Sequence, residues 1–459
     1  MPLPLPREIF KAYDIRGIVG KTLTPDITRQ IGRAFGSEAR LRGLPTVAIG
    51  RDGRLSGPAL SEALCEGLRS TGMEVIDVGA VATPMLYFAA HEMAASTGIM
   101  VTGSHNPPDY NGLKMVMGGA PVAGDAVQAL RARIEAGEFV DGVGSAREES
   151  INEAYLRRIT GDIRLARPMK IVVDCGNGIP GAFAPELYRR LGCTVQPMFC
   201  EVDGHFPNHH PDPSQPENLQ DLIRALAQGD GEIGLAFDGD GDRLGVVTRS
   251  GQIIYPDRQL MLFAADVLSR NAGAEIIFDV KCTRHLFDWV RSHGGQPTMW
   301  KTGHSLIKTR MRETGALLAG EMSGHFFFKE RWYGFDDGLY AGARLLEILS
   351  KVPDLDAALA ALPDAVSTPE LQIPLAEGEN VTLINALRQA GGFTQAREII
   401  DIDGVRVEYA DGFGLARSSN TTPVVVLRFE ADSTQALTRI QEDFRRAILA
   451  VRPDARLPF

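Results

Sequence analysis

One pattern limits what this chain can fold into: strand, helix, strand, helix, strand and then an unusual polar loop, repeated three times. In the first copy TVAIG, MEVIDVG and GIMV read as strands, with helices over 57–70 and 84–93. In the second, KIVVD, TVQPMF and EIGLAF are the strands, and 182–191 and 216–227 the helices. In the third, EIIFDV, QPTMW and ALLAG alternate with helices over 283–292 and 305–312. Elements alternating at this length imply mostly parallel sheets with helices on both faces. Ligands of such sheets gather beyond the carboxyl ends of the strands, which is where the three polar loops fall. From about residue 366 the pattern changes to paired strands around glycine-containing turns, with a closing helix over 433–451. The expected fold is α/β: three similar mixed α/β domains with mostly parallel sheets over 1–150, 151–252 and 253–365, and a smaller C-terminal α+β domain over 366–459, around a central cleft. The polar stretch DGVGSAREESINEA at 141–154 is expected to be the first linker.

The formal net charge of −10 argues against non-specific nucleic-acid binding and against an anionic membrane surface. An anionic ligand would need a local cationic pocket. Cys65, Cys175, Cys193, Cys200 and Cys282 form no C-x-x-C pair and read as reduced core thiols of a cytosolic protein. No stretch reads as a signal peptide, and no apolar run approaches the ~18 residues of a membrane span. His205, His209 and His210 lie in DGHFPNHHPDP, where flanking prolines favour an extended loop over a zinc cage.

The loops carry the chemistry. In GIMVTGSHNPPDYNGLK, Pro107 and Pro108 donate no backbone hydrogen bonds, and Pro107 biases Asn106 away from helix. Ser104 therefore sits on a stiff loop at a strand end. It lacks the G-x-S-x-G elbow of a hydrolase, and His105 is expected to diverge from it as an adjacent side chain on an extended loop. In LAFDGDGDR, Asp238, Asp240 and Asp242 alternate, so all three carboxylates can converge. Their mutual repulsion calls for a cation, and oxygen ligands without interleaved Cys or His favour Mg²⁺ over Zn²⁺. A calcium loop would need Gly at the position of Arg243 and Glu at that of Arg249.

In GEMSGH, Glu321, Ser323 and His325 alternate after an apolar strand and suit a polyhydroxylated ligand such as a sugar. In LARSSNTTP, Arg417, Ser419, Asn420 and Thr421 suit a phosphate. A serine that works beside a metal and near phosphate-binding groups reads as a phosphate carrier. One motif points elsewhere. KIVVDCGNGIPGAF holds Gly176, Gly178 and Gly181 as G-x-G-x-x-G, with Glu201 twenty residues beyond, as in a dinucleotide fingerprint. A NAD-binding oxidoreductase is therefore the alternative from another class, although it leaves the other loops without a role.

TGSHNPPDYNG, DGDGDR, GEMSGH and RSSNTTP, in that order, closely resemble the phosphoserine, metal, sugar-binding and phosphate-binding loops of the α-D-phosphohexomutase family, in its bacterial bifunctional phosphomannomutase/phosphoglucomutase branch. The resemblance covers essentially the whole chain. It implies an isomerase in which phosphorylated Ser104, with Mg²⁺ on Asp238, Asp240, Asp242 and a phosphate oxygen, gives its phosphate to a mannose or glucose phosphate. The resulting hexose 1,6-bisphosphate, also the activator, turns in the cleft and returns its other phosphate to Ser104. By the same analogy Lys114, His304 (in KTGHSLIK) and His325 are the acid–base candidates, while Arg16 (in KAYDIRG), Arg243 and Lys281 stabilise charge. Tyr13 lines the entrance, Gly303 contacts substrate, and Glu321 and Ser323 grip sugar hydroxyls. Arg417, Ser419, Asn420 and Thr421 hold the phosphate that is not reacting. Phosphoglucosamine and N-acetylglucosamine phosphate are the alternative substrates within the family. The expected partners are small sugar phosphates, with no nucleic acid or membrane, the expected state is a cytoplasmic monomer, and the resemblance implies products that feed nucleotide-sugar and exopolysaccharide synthesis.

Overall fold

The structure is a computed structural model that describes residues 5–420 and 422–459. It contains four sheets. The first runs Ile15–Ile18, Tyr110–Met117, Gly98–Val101, Thr46–Arg51, Glu74–Ala80 and Ser145–Glu148 across its width. Its last three pairings are parallel: Gly98–Val101 with Thr46–Arg51, that strand with Glu74–Ala80, and that with Ser145–Glu148. The central strand Gly98–Val101 is apolar throughout and buried at every position, because both faces of the sheet are covered there. Helix Pro25–Leu41 covers one face. Its Thr24 side chain accepts the Ile27 N–H, and Ile27, Ile31 and Phe35 recur every fourth residue along its buried stripe.

The second sheet orders Ile253–Ile254, Leu244–Thr248, Ile233–Phe237, Lys170–Asp174 and Thr194–Met198. The third orders Gln296–Trp300, Glu275–Asp279, Leu318–Gly320 and Phe326–Phe328. The three-fold pattern is thus real, and it has one further feature. In each copy the final parallel strand leaves through the polar loop and returns at once as an antiparallel neighbour. Gly98–Val101 pairs antiparallel with Tyr110–Met117, Ile233–Phe237 with Leu244–Thr248, and Leu318–Gly320 with Phe326–Phe328. The sheets are therefore mixed, and each chemical loop is the bend between two hydrogen-bonded strands, pinned at both ends. The stretch expected as a linker at 141–154 contributes the edge strand Ser145–Glu148 and the start of helix Asn152–Asp162. Its polarity belongs to a fully exposed edge rather than to a flexible connection.

The fourth sheet is antiparallel, ordered Val366–Ser367, Val424–Ala431, Gly412–Ser418, Val405–Tyr409 and Glu398–Ile400, with Leu371–Pro374 also paired to Val424–Ala431. Helices Glu379–Ala390 and Thr434–Val451 cover it through Leu387, Ile440 and Phe444. It meets the third sheet at the turn after Glu275–Asp279. Arg406 donates to the carbonyls of Val280 and Cys282 at 2.6 and 2.8 Å, and Arg428 donates to the carbonyl of Lys281 between them. Among the described residues no helix is long and apolar enough to cross a membrane.

Candidate active site

Ser104 lies on the loop between Gly98–Val101 and Tyr110–Met117, 1% exposed. Its φ is +51°, a left-handed conformation uncommon outside glycine. Such backbone persists only where its surroundings hold it. Here the holder is Arg54, from the loop that follows the first-sheet strand Thr46–Arg51. Its guanidinium donates to the carbonyls of Ser104, Asn106, Pro107 and Tyr110 at 2.6–2.9 Å and to Asp52 at 3.2 Å. Asp52 in turn accepts the Thr102 hydroxyl and the Gly103 N–H. The left-handed turn also changes the fate of His105. Its Nδ1 sits 3.1 Å from Ser104 Oγ, so the two side chains meet where an extended loop would have parted them. Burial, then Arg243 and Arg16, push the His105 imidazole well below its usual range, leaving it neutral.

Ser104 Oγ also donates to Asp238 Oδ2 at 3.1 Å. Asp238, Asp240 and Asp242 are all 0% exposed and bring a carboxylate oxygen each within 4.8 Å of the others. The loop is fixed by the Gly241 and Arg243 N–H groups on Asp238 Oδ1 and by the Thr83 hydroxyl on Asp240. Lys114 bridges the pair, its ammonium on Asp240 Oδ2 at 2.8 Å and on Asp242 Oδ2. Burial, then the two neighbouring aspartates, push the Asp238 carboxyl well above the usual range. Burial would raise Asp240 and Asp242 too, but Lys114 holds both low. Lys114 and His325 both sit on the Asp240–Asp242 side of the cluster, and among the described residues Asp240 Oδ1 has no hydrogen-bond partner. An all-oxygen site with a free lone pair suits a hard divalent cation.

Opposite stands the third loop. Glu321 is 1% exposed and accepts the Gly303 N–H at 2.5 Å. His325 sits 3.2 Å from Asp242, 3.3 Å from Glu321 and 2.8 Å from the Ser323 hydroxyl. Burial opposes a charge on His325, yet Asp242 and Glu321 raise its pKa to about 9. His304 opens helix His304–Thr314, stacked 5.7 Å from His325 and edge-on to Tyr13 at 5.2 Å. Burial, then Lys308 and Lys114, keep it well below its usual range. Neither of its ring nitrogens has a hydrogen-bond partner among the described residues. Asp336, absent from the sequence expectations, is 0% exposed and lies 3.5 Å from His304 Nδ1 while accepting from Lys308 at 2.8 Å.

The fourth sheet closes the cleft. Arg417 projects from Gly412–Ser418, its Nε on Asp403 at 3.0 Å and its buried Nη2 without a hydrogen-bond partner among the described residues. Asn420 donates to the Thr302 carbonyl at 3.4 Å, and Ser419 pairs with Thr422 at 3.0 Å. Thr421 lies outside the described residues. Lys281 pairs with Glu370 at 2.6 Å, and Arg16 with Asp14 at 2.7 Å and with the Asn106 side chain at 2.8 Å. Arg243 lies 3.6 Å from Asp212, and its Nε is 3.4 Å from His325 Nε2. One cleft is lined by Tyr13, Arg16, Ser104, Lys114, Arg243 and Lys281, and also by Gly303, His304, Glu321, Ser323, His325, Arg417, Ser419 and Asn420. Arg16, Lys114, Arg243, Lys281, Arg417 and the raised His325 outnumber the lining carboxylates Asp212, Glu321 and Glu370, so in a chain of net charge −10 this cleft carries the positive balance an anion needs.

The two decoys resolve physically. Gly178 is required because a Cβ there would lie 2.8 Å from the Gly239 Cα, and one at Gly181 would overlap the Cys200 carbonyl. The G-x-G-x-x-G turn is thus filled by the chain's own backbone where a pyrophosphate would sit. Exposed His205 pairs with Asp203 and His209 with Asp174, and the candidate ion-holding groups among the described residues include none of the three histidines. Arg54, His105 and Asp336 are the residues that sequence reasoning missed. The D-G-R at the end of Thr46–Arg51 was a usable signal, being one more glycine loop at a strand's carboxyl end.

Comparison with known proteins agrees over the whole length. Profiles for the three α/β/α domains of phosphoglucomutase/phosphomannomutase match residues 7–141, 153–251 and 255–366, and that for the C-terminal domain matches 347–447. A phosphoglucomutase of Neisseria gonorrhoeae is 61% identical over 445 residues, covering 96% of this chain and 97% of the relative. A phosphomannomutase/phosphoglucomutase of Pseudomonas aeruginosa is 57% identical over 456 residues, covering 99% and 98%. The crystal structure of a phosphoglucomutase/phosphomannomutase family protein from Burkholderia thailandensis superposes with a TM-score of 0.95 at 62% identity, covering 99% of this chain and all of that one.

Proposed function

The chain belongs to the phosphoglucomutase/phosphomannomutase family and is a phosphohexose mutase, and we propose that it moves phosphate between the 1- and 6-positions of both glucose and mannose by way of Ser104. The observation that carries the reading is the convergence on Ser104: its Oγ is 3.1 Å from Asp238, in the cleft that Glu321, His304 and Arg417 also line. Ser104 holds a phosphoryl group in the resting enzyme and transfers it to a sugar hydroxyl. The sugar hydroxyl gives up its proton as the new P–O bond forms, and Ser104 Oγ takes up a proton as the old one breaks, leaving the serine hydroxyl. His304 is our candidate to take such a proton, a reading supported by its neutral ring and by ring nitrogens that make no hydrogen bond among the described residues. Lys114 and His325 are the other proton-transfer candidates, while Arg16 and Arg243 offset the charge of the phosphoryl group.

Asp238, Asp240 and Asp242 would hold Mg²⁺ together with an oxygen of the Ser104 phosphate. When bound, the cation offsets phosphate charge and makes phosphorus more electrophilic. Glu321 and Ser323 bind hydroxyls that both orientations of the sugar share, and Gly303 and Tyr13 shape that subsite. Arg417, Ser419, Asn420, Thr421 and Lys281 hold the distal phosphate while the other end reacts. Exchange of the two ends occurs within the cleft, with hexose 1,6-bisphosphate as intermediate and activator. The experiment is turnover of glucose 1-phosphate and mannose 1-phosphate with Mg²⁺ and a trace of bisphosphate. Both are expected to react, and Ser104→Ala to abolish each. Turnover of only one sugar would overturn the dual assignment.

A further inference from the structure

The turn that carries the glycine motif has a use the mutase reaction does not absorb. We infer that Cys175 and Cys200 form a modification site, a dithiol that a hydroperoxide converts into a disulfide inside the folded enzyme. Cys175 follows the strand Lys170–Asp174, and Cys200 lies two residues beyond the neighbouring parallel strand Thr194–Met198. The Cys175 N–H donates to the Met198 carbonyl at 3.1 Å, so the ladder extends to the cysteines themselves. Their sulfurs are 3.6 Å apart. A disulfide needs about 2.05 Å, so roughly 1.5 Å of side-chain movement closes the bond. Cys65, Cys193 and Cys282 make no sulfur–sulfur contact among the described residues.

The two thiols differ as an attacking and a resolving pair must. Cys200 is partly exposed, whereas Cys175 is 0% exposed behind it. The hydrogen bond with Cys175 lowers the Cys200 thiol, and burial raises Cys175 well above the ordinary range. The Cys200 thiolate attacks the O–O bond, the leaving alkoxide or hydroxide takes a proton, and Cys200 becomes a sulfenic acid. The Cys175 sulfur then attacks that sulfur, its proton leaves with the hydroxyl as water, and the S–S bond forms. Two thiols supply the two electrons that reduce one peroxide. The site lies directly beneath the acidic loop, because the Ile179 N–H of the same turn donates to the Gly239 carbonyl at 3.1 Å.

The test treats the whole purified enzyme with hydrogen peroxide, then alkylates it under denaturing conditions. Three of the five thiols are expected to react, peptide mapping is expected to join Cys175 to Cys200, and dithiothreitol is expected to restore all five. Cys200→Ser is expected to keep its four thiols at the same dose. Cys175→Ser is expected to leave Cys200 as a sulfenic acid that dimedone traps. Five thiols persisting in the wild type, a cross-link elsewhere, or Cys200 accumulating as sulfinic acid without a cross-link would overturn the assignment.

Discussion

Arg54→Lys isolates what holds Ser104 in its left-handed turn. The substitution keeps a positive charge beside Asp52 and removes the planar fork. The arginine side chain makes five hydrogen bonds, four of them to carbonyls of the Ser104 loop. Lysine offers three donors at most, so at least two acceptors lose their partner. A buried acceptor left unpaired costs about 1–3 kcal/mol, which puts the loss at about 2–6 kcal/mol, concentrated in this loop. At 1.4 kcal/mol per tenfold, the lower bound corresponds to opening about thirtyfold more frequent. Hydrogen exchange of a peptide spanning 102–110 reads that opening, and steady-state kinetics read its consequence. Exchange is expected to accelerate by at least that factor, with kcat falling more than KM rises, because the nucleophile is mispositioned rather than the sugar lost. Wild-type exchange in that peptide together with wild-type kcat would refute the role given to Arg54.

Three further outcomes are expected. Arg417→Ala removes a charge-assisted phosphate contact worth about 1.5–3 kcal/mol and should raise KM about tenfold to a hundredfold, while Arg69→Ala on the surface does little; equal effects in steady-state kinetics would count against the pocket. Chelation should abolish mutase activity and Mg²⁺ restore it, and activity indifferent to chelator would remove the role of the three aspartates. Asp337 accepts the Tyr155 hydroxyl at 2.9 Å and the Tyr340 N–H at 2.9 Å, and burial raises its pKa to about 7. Its folded-state pKa lies above the unfolded value, so the stability it contributes is present at about pH 4 and lost as pH rises toward 7, about 4 kcal/mol in all. Asp337→Asn keeps both acceptor roles and should melt higher than wild type at pH 8, with a flatter profile between pH 4 and 7; a variant less stable at both ends would contradict this.

The parallel strands were legible because burial on both faces makes them continuous apolar runs, such as the wholly buried IGLAF segment of Ile233–Phe237. The antiparallel returns were not, because LKMVM, LGVVT and FFF follow loops whose polar residues draw attention to chemistry rather than to pairing. Acidic and hydroxyl side chains at strand ends announced the site, since few structural reasons place three alternating aspartates there. The D-G-R loop marked the place of Arg54, but its role was hidden for a different reason. Its partners are backbone carbonyls fifty residues away, and carbonyls leave no mark in a sequence. His105 was misjudged because an extended loop was assumed, and one positive φ at Ser104 reverses the direction of the next side chain. Asp336 reads in FDDG as one half of a helix cap, but only its neighbour Asp337 caps helix Gly338–Leu349.

The most direct test follows the phosphoryl group itself. Enzyme carrying radiolabelled phosphate, mapped first by peptide sequencing, is mixed with one equivalent of unlabelled glucose 6-phosphate and quenched within a turnover. The label should start on Ser104 and appear in hexose 1,6-bisphosphate as it leaves the protein. Label found on another residue, or retained on Ser104 while sugar isomerises, would contradict the account.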